Sequence, residues 1–171
     1  MNQLIAESVD ICEEYRRQGF ACSESVCRTL DEIYHLELSD ETYKVMSVFA
    51  GGGIDDGRCG VIEAGMLALT ILNKRDEFDT DVSLEQLSIK LHQAFVDCYG
   101  GYQCRDIFYP LYKKHKESQK EESDFFCAFH EGITLIVKLI ESYRRKKNEK
   151  EIIRSISVRG NDSRNGSRMW K

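Results

Sequence analysis

An all-α fold is predicted, a single-domain antiparallel helical bundle of about six helices with a disordered basic C-terminal tail. Three observations predict it. Apolar residues recur at helical spacing through most of the chain, Pro110 is the one proline, and long β-branched alternations are scarce. At 171 residues the chain suits one domain with a substantial core, placed at residues 1–147, and the flexible tail takes 148–171.

The first helix carries Leu4, Ile5, Val9, Ile11, Cys12 and Tyr15. It ends at Arg16-Arg17-Gln18-Gly19, basic residues followed by glycine being a stop signal. The second starts near Cys22 and runs through Val26, Leu30, Ile33 and Tyr34. Ser39 caps the third, with Asp40 and Glu41 complementing the helix dipole, and the pattern continues through Tyr43, Val45 and Met46 to Phe49. A glycine-rich loop leads to a fourth helix from Cys59 to about Asn73. Lys74 to Asp81 is a polar connection. Ser83 caps the fifth helix, with Leu84, Leu87, Leu91, Phe95 and Val96 on one side, and Gly100-Gly101 ends it. A short helix follows from near Cys104 to Pro110, then a solvated charge run from Lys113 to Ser123. The last helix runs from Asp124 through Phe129, Ile133, Ile136, Val137 and Ile140 to Tyr143. The segment Gly160 to Arg168 is too polar to bury a core and is expected to be disordered.

Charge is unevenly spread. Residues 151–171 hold five basic and two acidic side chains, a balance of +3, so the net −5 of the chain leaves −8 on the first 150 residues. An acidic body disfavours nucleic acid as a partner, because neutralising phosphates needs a basic face. The start, Met1-Asn-Gln-Leu-Ile-Ala-Glu, has no basic opening or apolar core, and no apolar run reaches the roughly 20 residues of a membrane span. A cytoplasmic protein without membrane insertion is therefore expected. Seven cysteines in a reducing compartment do not suggest a static disulfide framework.

The segment Phe49-Ala-Gly-Gly-Gly-Ile-Asp-Asp-Gly-Arg-Cys-Gly60 concentrates the chemistry. Cys59 lies where the loop enters a helix N-terminus, where free amides and the dipole favour thiolate, so a lowered pKa and high reactivity are expected of it. A phosphate-binding loop is a poor match, since Gly-Lys-Ser/Thr is missing and Asp55 and Asp56 would repel phosphate. Cys22, Cys104 and Cys127 also fall near predicted helix beginnings. If those ends converge, the four sulfurs would form a cluster able to cycle between dithiol and disulfide, or to bind zinc or an iron–sulfur cluster. His130, three residues after Cys127 on one helix face, is a candidate further metal ligand, and Glu63, one turn after Cys59, a candidate proton acceptor. Cys12, Cys27 and Cys98 fit helix interiors and are expected to be structural. There is no Cys-x-x-Cys, hence neither a thioredoxin-like motif nor a covalent haem site.

The series Gly19-Phe-Ala-Cys22-Ser-Glu-Ser-Val26, Phe49-Ala-Gly-Gly-Gly53, Cys59-Gly60, Cys104-Arg-Asp-Ile107 and Cys127 resembles the redox-active C_GCAxxG_C_C family over roughly residues 8 to 140. The resemblance implies that Cys22, Cys59, Cys104 and Cys127 are the four characteristic cysteines and that the chemistry is thiol or electron transfer. The chain departs from the motif at Val61, where the family has alanine, and at Ala64, where it has glycine, with Gly65 one place later. An oxidoreductase or electron-transfer protein working with a redox partner protein is the leading expectation. The alternative is a non-enzymatic helical binding or scaffold protein whose cysteines only pack the bundle. The cofactor, the substrate and assembly into a homo-oligomer stay open.

Overall fold

Helix α2 (Cys22–Tyr34) is the element around which its neighbours are arranged, packing against α1 (Asn2–Arg17), α3 (Asp40–Ser47) and α4 (Gly60–Lys74). Helix α5 (Leu84–Tyr99) packs on α4, and helical stretches α6 (104–110) and α7 (130–144) follow. The computed structural model describes residues 1–53, 56–78, 81–110, 130–144 and 150–151, and the fold is all-α. Among the described residues the only extended pairing is one isolated antiparallel bridge, Arg58 to Gln103.

The central place of α2 follows from its small polar residues. Ser23, Ser25 and Thr29 are fully buried, and each hydroxyl donates to a carbonyl: Ser23 to Met46 at 2.6 Å, Ser25 to Phe20 at 3.3 Å and Thr29 to Ser25 at 2.8 Å. With its hydrogen-bonding need met, a short side chain lets three helices approach where a longer one would hold them apart. Helix α4 is the most apolar, burying Ile62, Ala68, Leu69 and Leu72. Gly65 lets α5 and α7 close on it, since a Cβ there would lie 2.9 Å from Ile136 Cγ1 and 3.1 Å from Leu91 Cδ2. Leu87, Leu91 and Phe95 of α5 and Ile133, Ile136, Val137 and Ile140 of α7 complete the core. Each such aliphatic side chain stabilises the fold by roughly 1.5–3 kcal/mol.

The caps read from the sequence are in place. Ser39 Oγ accepts from Thr42 N, and Ser83 and Gln86 form a reciprocal capping box. Gly100 ends α5 with φ 80°. The third helix is shorter than its apolar pattern, stopping at Ser47 and tightening into a 3-10 turn at Ala50–Gly52, because Gly51 takes φ 67° and breaks the helical path. At the junction of α1, α2 and α3 the Arg28 guanidinium lies 4.3 Å from the Phe20 ring and 4.0 Å from that of Tyr43, and pairs with Glu24 at 2.9 Å. No helix among the described residues is long and apolar enough to cross a membrane. The charge run from Lys113 to Ser123, the start of the last predicted helix with Cys127, and the tail apart from residues 150–151 lie outside the described residues. At the tail's start Lys150 Nζ reaches Asp81 Oδ2 at 2.5 Å.

Candidate functional site

Three helix beginnings meet at one place. Cys22 is the first residue of α2, Cys59 is the N-cap of α4, and Cys104 opens α6. Two glycines bring them together. A Cβ on Gly60 would fall 2.6 Å from Phe49 O and 2.8 Å from Ser23 Cβ, so the start of α4 touches the start of α2 only because residue 60 has no side chain. A Cβ on Gly52 would fall 2.8 Å from Cys104 Cβ and 2.8 Å from Gly57 O. The Arg58–Gln103 bridge completes the link: Cys59 N donates to Tyr102 O at 3.0 Å, and Cys104 N donates to Gly57 O at 2.9 Å. Cys22, Cys59 and Cys104 all line a cavity of about 590 Å³.

The electrostatics reverse one expectation. Cys59 is 5 % exposed, and burial pushes its thiol up to about 12; the Val61 and Ile62 amides act the other way, while the neighbouring Cys22 and Cys104 sulfurs add to the rise. Cys104 is pushed up to about 11 by burial, by Cys22 and by Asp56. The predicted lowering of the Cys59 pKa is thus corrected. A helix dipole contributes about 0.3–1 kcal/mol, whereas withdrawing a charge from water costs several kcal/mol.

The remaining expectations divide. Cys12 and Cys27 are buried between helices, as packed thiols should be. Cys98 is not: it is exposed in the last turn of α5, its Sγ 3.7 Å from Glu131 Oε2. Glu63, the candidate proton acceptor, pairs with Arg58, its Oε1 lying 2.7 Å from Arg58 Nε. Arg58 Nη1 also lies 3.5 Å from His92 Nε2, a partner the sequence did not suggest. His130 Nε2 sits 2.5 Å from Glu13 Oε1 on α1. Among the described residues no three His, Cys, Asp or Glu side chains form a group that could hold a metal ion, and Cys127 lies outside them.

These exposures predict the order of alkylation in the native protein near neutral pH. Cys98 should react first, Cys22 and Cys104 next, and Cys12, Cys27 and Cys59 last. A mass-spectrometric time course in which Cys59 leads Cys98 would contradict this.

The sequence model of a family described as "Putative redox-active protein (C_GCAxxG_C_C)" matches residues 20–148. The chain belongs to the C_GCAxxG_C_C family. No curated protein and no solved structure matches it. The departure of this member from the family motif at Val61 has a visible accommodation. Val61 is buried on the cavity wall, and a Cβ on Gly132 would lie 2.9 Å from its Cγ1, so α7 presents a glycine where the larger side chain needs room. Gly132→Ala should cost about 1–3 kcal/mol by overpacking. In a Val61→Ala background, which restores the family's alanine, the same change should cost clearly less. Urea unfolding of the four proteins tests this, and simple additivity would rule the coupling out.

Sequence reasoning missed the residues that hold these three cysteines of the C_GCAxxG_C_C protein together. Tyr102 and Gly57 act through backbone carbonyls, which any side chain could supply, so the sequence carried no signal for them. Gly52 and Gly60 were visible as glycines, but which atoms press on them is a tertiary fact.

Proposed function

We propose that this protein is a thiol–disulfide redox protein in which Cys22 pairs alternately with Cys59 and Cys104, with Cys127 as the fourth family cysteine, in a reducing cytoplasmic setting. The observation that carries this reading is the shared cavity: Cys22, Cys59 and Cys104 line it, each from a different helix start. On oxidation two thiols lose two electrons and two protons and one S–S bond forms; reduction reverses this. Because burial keeps Cys59 and Cys104 protonated, the resting form at neutral pH is dithiol rather than thiolate. The test is oxidation of the full chain with a mild disulfide reagent, followed by mapping of the linked cysteines. A bond between Cys22 and either Cys59 or Cys104 is expected, and the Cys22→Ser variant should abolish it. If all three thiols stay free, or bonds form only through Cys98, the cysteines are packing residues of a scaffold instead.

A further inference from the structure

We propose that the electron acceptor of this cysteine set is a small disulfide with a flat apolar body that enters the cavity, and not a folded protein presenting a surface disulfide. The inference rests on the thiol–disulfide reading above and names its substrate class. The volume of about 590 Å³ falls within the range of small-molecule sites. Away from the sulfurs its wall is formed in large part by Val61, Phe95, Ile107 and Phe108, contributed by three helices. Arg16, Asp56 and Arg105 also line the cavity, but over the apolar part of the wall a polar disulfide would lose water without gaining a hydrogen bond, whereas an aromatic one replaces water with ring and aliphatic contacts. Cys59 is buried and lines the cavity, so a partner sulfur meets it there.

The exchange balances without a further reagent. Cys22 Sγ gives up its proton and attacks one substrate sulfur; the substrate S–S bond breaks, and the departing half takes up a proton as a free thiol. Cys59 or Cys104 Sγ, losing its own proton, then attacks Cys22 Sγ. The second half leaves as a thiol, and an intramolecular disulfide remains. Two protein thiols have been oxidised by two electrons, and one substrate disulfide has become two thiols.

The experiment uses the full chain carrying Cys98→Ser, which silences the exposed thiol. Its oxidation is timed with dithiodipyridine, with hydroxyethyl disulfide and with oxidised thioredoxin, each rate divided by that of the same oxidant with free cysteine. The normalised rate with dithiodipyridine should exceed both others by about tenfold or more, the size of a modest apolar-pocket preference. Ala21→Phe and Ala50→Phe, two substitutions that fill the cavity from its wall, should each erase that preference in protein whose melting transition is retained. Equal normalised rates in the Cys98→Ser protein, or thioredoxin as the fastest oxidant, would overturn the inference while leaving the thiol reading intact. If no oxidant links any two of Cys22, Cys59 and Cys104, the thiol reading itself fails, and the inference with it.

Discussion

Gly52→Ala is expected to destabilise the protein by about 2–4 kcal/mol and to disrupt the pairing of Cys104. Two costs combine at this residue. Its φ of +82° lies in the left-handed region, which penalises any residue with a Cβ by roughly 1–2 kcal/mol. The added methyl would also meet Cys104 Cβ and Gly57 O, both at 2.8 Å. Gly57 O cannot retreat freely, because it accepts the Cys104 amide, and Gly57 N in turn donates to Gly52 O at 2.8 Å. Gly51 supplies the control. It too is left-handed, at φ +67°, but a Cβ there meets nothing within 4 Å, so Gly51→Ala should show the conformational cost alone. Urea unfolding separates the two, and mapping of oxidised Gly52→Ala should show a reduced share of bonds to Cys104. Equal losses at positions 51 and 52 would mean that the close approach carries no weight.

Stability is expected to fall steeply between pH 9 and 10. Burial pushes the thiols of Cys12, Cys27 and Cys59 up to about 12 from an ordinary value of 9.0. Across that interval the unfolded chain releases these protons while the folded chain retains them. The native state then binds more protons than the unfolded one, and stability decreases as pH rises. Each thiol contributes a loss of about 1 kcal/mol over this interval, so the three together remove roughly 3 kcal/mol between pH 9 and 10. That is a large fraction of the 5–15 kcal/mol typical of a domain. Cys27→Ala should lower the slope by about a quarter to a third, since Cys104, pushed up to about 11, adds to it as well, whatever the change costs at neutral pH. Denaturant midpoints at pH 7, 9 and 10 decide the matter, and a slope indifferent to Cys27 would show that other groups govern alkaline unfolding.

The Cys59 result illustrates how much of the site was legible. Its place before an apolar run was readable from Gly57-Arg-Cys-Gly60, and it is indeed the N-cap of α4. The direction of its pKa was not readable, because the dipole argument needs only the next few residues, whereas desolvation depends on everything packed around the sulfur. Cys98 teaches the same lesson from the other side. Its position inside a helix was right, but being inside a helix is not being inside the core: Cys98 shares the face of Leu87, Leu91 and Phe95 yet lies in the last turn of α5, beyond the buried stretch. His130 looked ligand-like along the chain, yet its Nε2 lies against Glu13, 117 positions away.

By itself the sequence determined the all-α class, the order of the helices, the Ser39 and Ser83 caps, the Gly100 stop and the family. These depend on local signals: helical periodicity, side chains that satisfy free amides, and backbone conformations open mainly to glycine. Only the tertiary structure decided that Gly60 lets α4 touch α2, that Gly52 presses on Cys104, and that the Arg58–Gln103 bridge joins two distant helix starts. The physical reason is range. Caps and turns are settled within a few residues, while burial, and with it the charge state of a thiol, is set by segments that meet only once the chain has folded.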